Sequence, residues 1–130
     1  MVTEGPINNQ LAFFRHPNFD SSLFTAIDSR KQTYTIGEIF TLTSVIAPAV
    51  NFTGPIDVVL GENDFIFCQG DCTDPVDQSS VVRDALFPSS SSGSQYYLVN
   101  GTGHAVNAHY NAQKAFAQMI NFIKASGIMP

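Results

Sequence analysis

The sequence predicts an α/β fold in which parallel strands alternate with helices in the order β-α-β-α from residue 51 onward. Two short runs, at residues 56–60 and 95–99, follow loops rich in Gly, Pro or Ser and are predicted to be strands. The first is mostly apolar, which suits a buried parallel strand. One helical pattern separates these runs and a second follows them. Strands connected in this way are parallel and joined by a right-handed crossover. The chain has 130 residues, 44% of them hydrophobic, which suits one globular domain.

Residues 1–50 are predicted to form a helical segment that precedes the α/β core at residues 51–130. From Ile36 to Ala47 the apolar positions follow helical spacing. Thr35 and Glu38 have the spacing of a capping box, and Pro48 should stop this helix. No strand pattern is evident in residues 1–55.

The helix between the strands is predicted over residues 75–87, with Asp74 as its N-cap and Pro75 at the first helical position. Its buried side should consist of Val81, Val82, Ala85 and Leu86.

The last helix should begin after Asn111 and end at Ser126-Gly127. Its apolar face is predicted to consist of Ala112, Ala115, Phe116, Met119, Ile120 and Ile123.

Two strands are too few for a stable parallel sheet. Such sheets are covered by helices on both faces, and here each strand would also keep an unpaired edge. We therefore expect the chain to be incomplete as a domain or to pair with another polypeptide.

Each predicted strand leads into a loop that carries a residue suited to acid–base chemistry. Asp64 follows the first strand after Gly61, and His104 follows the second strand after Gly101 and Gly103. Open α/β sheets gather their chemistry at the carboxyl edge of the strands. There a carboxylate can hold an imidazole in one tautomer, and histidine is the usual general base near neutral pH. The alternatives are an aspartate that caps a turn and a hydrogen-bonded loop histidine.

A nucleophile for this pair is not evident in the sequence. No G-x-S-x-G pattern occurs, and no serine lies on a predicted strand-to-helix elbow. Of the other histidines, His16 is typical of a surface position, and His109 could line a cleft but is a weaker candidate than His104.

The two cysteines and two N-glycosylation sequons are the features that concern secretion of the protein. Cys68 and Cys72 are close enough for a small-loop disulfide, with two free thiols as the alternative, and they are too few for a metal site. Asn51 and Asn100 each begin an N-glycosylation sequon, but Asn100 lies in the loop before His104, where a glycan is less expected. The first residues lack the basic and apolar regions of a signal peptide, so we expect no such signal in this chain.

The charge of the chain argues against two classes of partner. The net charge is −5 and Lys plus Arg number only six, which does not fit a nucleic-acid-binding surface or a polybasic membrane anchor. No apolar run approaches the roughly 20 residues of a spanning helix. We therefore expect neither a nucleic-acid partner nor a membrane span.

Residues 51–123 resemble the C-terminal part of α/β-hydrolases, in particular a group of fungal proteins. The resemblance covers somewhat more than half of the chain. The motifs that carry it are Asn51-Phe52-Thr53-Gly54-Pro55, Gly61-Glu62-Asn63-Asp64-Phe65-Ile66-Phe67-Cys68, Gly70-Asp71-Cys72, Gly101-Thr102-Gly103-His104, and Asn107-x-His109-Tyr110-Asn111-Ala112.

The resemblance implies a partial α/β-hydrolase fold, with residues 1–50 as a lid-like helical segment and residues 51–130 as the C-terminal part of the core. It implies Asp64 as the triad acid and His104 as the triad base. The expected reaction is hydrolysis of a small-molecule ester, amide or related bond through a serine acyl-enzyme, without a metal or organic cofactor. It also favours a Cys68–Cys72 disulfide and an extracellular or secretory parent protein.

The family's earlier strands, oxyanion loop and nucleophile elbow have no counterpart in this sequence. A missing N-terminal half or a partner chain would have to supply them, so we expect the isolated chain to be inactive. The alternatives are a non-catalytic partner-binding module and an inactive, truncated remnant of the fold.

Overall fold

The computed structural model describes residues 5–127, which form helices around a small parallel sheet. The helices are α1 (Gly5–Phe13), α2 (Ser21–Ser29), α3 (Ile36–Thr41), α4 (Phe65–Cys68), α5 (Gln78–Leu86) and α6 (Ala112–Ala125), with 3-10 turns at Leu42–Val45 and Val106–Ala108. The strands are β1 (Asp57–Gly61) and β2 (Gln95–Val99). None of the helices in this part of the chain is long and apolar enough to cross a membrane.

The sheet confirms the predicted β-α-β-α order. Strands β1 and β2 pair in parallel, from Asp57 opposite Gln95 to Gly61 opposite Val99, and α5 lies between them in the chain. Within residues 5–127 the sheet has only these two strands, so each keeps one open edge. The prediction that the first strand is buried was wrong: within β1 only Gly61 is buried, and within β2 only Val99 is. The reason is that each strand has one neighbour instead of two.

The N-terminal segment is helical, and its third helix begins as predicted but ends early. The Thr35 side chain accepts a hydrogen bond from the Glu38 amide at 3.1 Å, which completes the capping box. The α-helix stops at Thr41 and continues only as a 3-10 turn, well before Pro48. The hydroxyls of Thr41 and Ser44 donate to helix carbonyls at 2.9 and 2.6 Å, and such bonds compete with regular helix geometry.

Helix α5 begins later than predicted, and of its predicted buried side only Val82 and Leu86 are partly buried. Its N-cap is Asp77, whose carboxylate accepts from the amides of Ser79 and Ser80, and not Asp74. Ser79 is fully buried, while Val81 is 42% exposed and Ala85 is also exposed. Ser79 has a small side chain that fits in this buried position. Its hydroxyl donates a hydrogen bond to the Asp77 carboxylate, so the buried polar group has a partner.

Helix α6 has the predicted length, but it buries its small residues. Ala112 and Ala115 are buried against the sheet side, and Asn111 precedes the helix without a capping side-chain bond. The large residues of the predicted face are widely exposed, namely Phe116 (48%), Met119 (38%) and Ile120 (45%). The apolar face of α6 therefore extends beyond what this chain covers.

The main hydrophobic cluster joins the N-terminal segment to the loop after β2. Phe14, Phe19 and Ala108 are buried together, with Phe13, Phe24 and Ala105 packed around them. The backbone supports this contact, since the Ala105 amide donates to the Phe13 carbonyl and the Tyr110 amide donates to the Asn18 carbonyl. The N-terminal segment thus packs directly on the loop that contains His104.

A close backbone approach holds the end of β1 against the loop that follows β2. A Cβ atom placed on Gly61 would lie 2.2 Å from the Gly103 carbonyl oxygen and 2.7 Å from that of Thr102. Neither oxygen belongs to a flexible side chain, so the backbone itself would have to move. Glycine is required at position 61 for this steric reason.

We predict that Gly61→Ala destabilises the chain by about 1–3 kcal/mol, because the new methyl group overpacks a backbone contact. Gly37→Ala is the matched control, since its Cβ would meet only the Thr35 hydroxyl oxygen, at 3.7 Å. That change should leave stability unchanged or raise it by up to about 1 kcal/mol. Urea unfolding of both variants measures the effect, and equal midpoints for Gly61→Ala and the wild type would contradict it.

Candidate active site

The site lies where the two strands end, in a pair of hydrogen-bonded loops. The Glu62 amide donates to the Val99 carbonyl at 3.1 Å, and the Asn63 amide donates to the Thr102 carbonyl at 2.8 Å. The strand pairing therefore continues past β1 and β2 into both loops. This brings the backbone of Asp64 beside the segment that leads to His104.

Asp64 is almost fully buried, with 2% of its surface exposed, and its two carboxylate oxygens have different partners. Oδ1 accepts a hydrogen bond from the Phe67 amide at 3.0 Å and so caps α4. Oδ2 lies 2.8 Å from Nδ1 of His104. The interpretations of Asp64 as a turn cap and as a partner of histidine therefore both hold.

His104 is fixed on one side and open on the other. Its ring packs against the rings of Phe67 and Phe13, with centroid distances of 5.1 and 5.5 Å. Nδ1 faces the Asp64 carboxylate, while Nε2 has no hydrogen-bond partner among residues 5–127, and 30% of the side chain is exposed. With Asp64 ionised, the neutral imidazole carries its proton on Nδ1 and presents a lone pair on Nε2. This arrangement can accept a proton from a substrate or nucleophile.

Glu62 and Asn18 support the loop before His104, and neither role was predicted from the sequence. One oxygen of Glu62 accepts from the Gly101 amide at 2.8 Å and from the Asn100 side chain at 2.9 Å. The side chain of Asn18 donates to the Gly101 carbonyl at 2.9 Å. The position of Glu62, directly after a strand, could have suggested a role at the sheet edge. No local pattern points to Asn18.

His109 is a buried structural histidine and not part of the open site. Its Nε2 accepts hydrogen bonds from the amides of Arg15 (2.8 Å) and Gly103 (3.1 Å), and its Nδ1 faces the Ala105 carbonyl at 2.8 Å. Burial lowers the pKa of His109 below its usual value of 6.5. The neutral form fits these partners, because a proton on Nε2 would face two N–H donors. His16 is exposed, as predicted.

The cysteines form a disulfide beside the Asp64 loop. Cys68 and Cys72 have an S–S distance of 2.06 Å, and Cys72 is fully buried. Amides from this loop converge on the Asp64 carbonyl oxygen, with Cys68 at 3.1 Å and Gly70 at 3.0 Å. The disulfide therefore closes the turn whose backbone holds Asp64.

The chain matches no protein-family model, no curated protein and no solved structure. The resemblance to α/β-hydrolases stays a prediction, and the chemistry of the site is argued from its own geometry. In the part of the chain that the structure describes, no group of three or more His, Cys, Asp or Glu side chains is arranged to hold a metal ion.

The asparagines of both sequons are exposed, but the Asn100 side chain is held by a hydrogen bond within the site. Asn51 lies in an exposed turn before β1. The Asn100 side chain donates a hydrogen bond to Glu62. The backbone carbonyl of Asn100 accepts one from the Asn111 side chain at 2.8 Å. A glycan on Asn100 would therefore displace a hydrogen bond that supports the His104 loop.

We predict that a chain directed through the secretory pathway carries a glycan on Asn51 and none on Asn100. Asn51→Gln should remove the mass of one glycan, while Asn100→Gln should leave the glycosylated mass unchanged. Intact-mass spectrometry before and after deglycosylation measures both. A glycan that persists in Asn51→Gln would contradict the prediction.

We also predict that His109 makes stability depend on pH as the pH falls below about 6.5, because its pKa is lowered in the folded chain. Because the pKa is lower in the folded chain than in the unfolded chain, the unfolded chain binds more protons in this range. Stability is therefore fully present above pH 6.5 and falls as the pH decreases, by at most about 1.4 kcal/mol per pH unit for one proton.

His109→Gln and His16→Gln are compared with the wild type by urea unfolding at pH 7 and pH 5. The wild type and His16→Gln should share the loss at pH 5, and His109→Gln should lose less. The explanation is wrong if all three chains show the same pH dependence.

Proposed function

We propose that this chain is the acid–base portion of a serine hydrolase related to α/β-hydrolases. In this proposal Asp64 is the triad acid and His104 the general base. The nucleophile and the oxyanion-binding amides are contributed by polypeptide outside residues 5–127. The substrate is a small-molecule ester, amide or related compound cleaved through an acyl-enzyme.

The observation that carries this proposal is the 2.8 Å contact between Asp64 Oδ2 and His104 Nδ1 at the ends of adjacent parallel strands. A triad uses a buried carboxylate on Nδ1 to orient the ring and to stabilise the imidazolium, while Nε2 takes the proton of the nucleophile. The order of acid before base along the chain is also that of α/β-hydrolases. No hydroxyl or thiol of the described residues hydrogen-bonds to His104 Nε2, which is why the nucleophile is assigned elsewhere.

The proposed reaction begins when a serine hydroxyl approaches Nε2. The imidazole takes the hydroxyl proton as the oxygen attacks the substrate carbonyl, and Asp64 stabilises the resulting cation without being protonated. The imidazolium then protonates the leaving group. In the second half of the cycle the same nitrogen takes a proton from water, which releases the acid product and restores the serine.

The total accessible surface is larger than that of a compact monomer, which fits a chain that is completed by other polypeptide. The chain exposes 8522 Å², whereas a compact monomer of 14.1 kDa exposes about 6,700 Å². One carboxylate oxygen of Asp57, Oδ2, is also buried on β1 without a hydrogen-bond partner among the described residues. A buried oxygen without a hydrogen bond costs free energy, and a donor from an added element beside β1 would remove that cost.

The test uses a fluorophosphonate probe, which reacts with activated serines. An antibody against residues 107–130 retrieves the native protein from its source, and the retrieved material is labelled. We expect the labelled species to be larger than 14.1 kDa or to be a second chain retrieved with this one. The proposal would be overturned if the pure chain hydrolysed esters with activity lost in His104→Ala, or if a 14.1 kDa species came alone and unlabelled.

We predict that Asp64→Asn changes the tautomer of His104 in the isolated chain. The ionised carboxylate stabilises the neutral ring with its proton on Nδ1, whereas an uncharged amide gives a much weaker preference. The Nε2-protonated form should therefore become substantially populated. Long-range proton–nitrogen NMR correlations of the imidazole measure the two forms.

Asp71→Asn is the matched control for this change. Asp71 is an exposed carboxylate in the same loop region, and its side chain accepts hydrogen bonds from Thr73 and not from His104. The control should keep the wild-type tautomer. An unchanged His104 tautomer in a folded Asp64→Asn chain would argue against the proposed role of Asp64.

A second candidate function is a non-catalytic module that binds a partner. The exposed Phe116, Met119 and Ile120 on α6 and the open strand edges favour it. It requires a stable dimer or hetero-complex. A folded monomer in analytical ultracentrifugation would count against it, and the tautomer experiment would be unaffected.

A further inference from the structure

A cavity of about 270 Å³ lies between the N-terminal segment and Ala105 of the loop after β2, and His104 itself is not part of its lining. The residues that line it are Asn9, Phe13, Phe14, Ile27, Lys31, Gln32, Tyr34 and Ala105. Two of these also contact the site: the Phe13 ring packs on the His104 ring, and Ala105 directly follows His104 in the chain. A molecule in the cavity would therefore contact two residues that adjoin the proposed general base.

Two polar side chains that line the cavity, Lys31 and Asn9, are paired with a carboxylate outside its lining. The Lys31 ammonium lies 2.7 Å from Asp28 Oδ1, and the Asn9 amide donates to the same oxygen at 3.0 Å. The positive charge of Lys31 is thus paired before any ligand enters. The walls offer aromatic and aliphatic carbon without an unpaired charge, so the cavity favours an uncharged apolar group over a carboxylate or an ammonium.

We propose that this cavity is the subsite for an uncharged alkyl or aryl group of the substrate. The inference rests on the proposed function for its link to His104, and it adds the chemical class of the group that is bound. The compound would place the apolar group against Phe13 and Ile27 and its reacting carbonyl towards His104. The size of the cavity, close to the lower limit of small-molecule sites, suits a short chain or a single ring.

The binding step can be measured in the isolated chain, because it requires no nucleophile. The probes are straight-chain primary alcohols from butanol to octanol, added to ¹⁵N-labelled protein and followed by NMR. We expect saturable shifts at Phe13, Ile27 and Ala105, together with shifts at His104. Each added methylene should tighten binding about threefold to fourfold until the cavity is filled.

Two variants on α2 provide a matched comparison. Ile27 lines the cavity and is 37% exposed, whereas Leu23, one turn away and 42% exposed, does not line it. Ile27→Trp should fill the space and weaken octanol binding by at least about tenfold, because several methylene groups of octanol would no longer be buried. Leu23→Trp should bind like the wild type. Ile27→Ala, which folds more readily than a large substitution, should weaken binding severalfold by removing a contact wall.

The outcomes separate this inference from the proposed function. Absence of saturable shifts, no dependence on chain length, or equal binding by the wild type, Ile27→Trp and Ile27→Ala would overturn the subsite, even if the serine-labelling experiment succeeded. Binding that leaves the His104 signals unmoved would also overturn it, because the cavity would then not adjoin the base. Length-dependent binding that moves His104 and is weakened in both Ile27 variants supports the subsite, even if no serine partner is found.

Discussion

The close approach between the end of β1 and the loop after β2 determines the geometry of the whole site. Gly61 allows the carbonyls of Thr102 and Gly103 to come nearer than any side chain would permit. The loop amides then continue the strand pairing through Asn63. Asp64 and His104 are 40 residues apart in the chain, and this contact is what brings their side chains to 2.8 Å.

The N-terminal segment completes the site from the opposite side. Phe13 packs against the ring of His104, and the Arg15 amide is bound by His109, which also binds the Gly103 amide. His109 thus connects the N-terminal segment with the loop that carries His104. This segment, which was predicted from the sequence only to be helical, is therefore part of the support of the acid–base pair.

The local features of the fold could be predicted from the sequence, and the long-range ones could not. The two strands, the capping box at Thr35 and the last helix follow from periodicity and capping chemistry, which depend on neighbouring residues. The roles of Glu62 and His109 depend on partners 39 and 94 positions away, which no local pattern encodes. Asp64 and His104 could be predicted as a pair because each follows a strand, but the 2.8 Å contact between them became visible only in the structure.

The prediction of which helix faces are buried was the least successful one, and the reason is physical. Helical spacing identifies apolar positions but does not say which of them this chain will cover. In α6 the small Ala112 and Ala115 are buried, while Phe116 and Ile120 remain largely exposed. The acid–base pair is nevertheless fully formed, because it depends on contacts between loops and on the N-terminal segment. The order of the site is therefore independent of whatever covers α6 and the open sheet edges, and a nucleophile supplied from outside the described residues would meet a base that is already oriented.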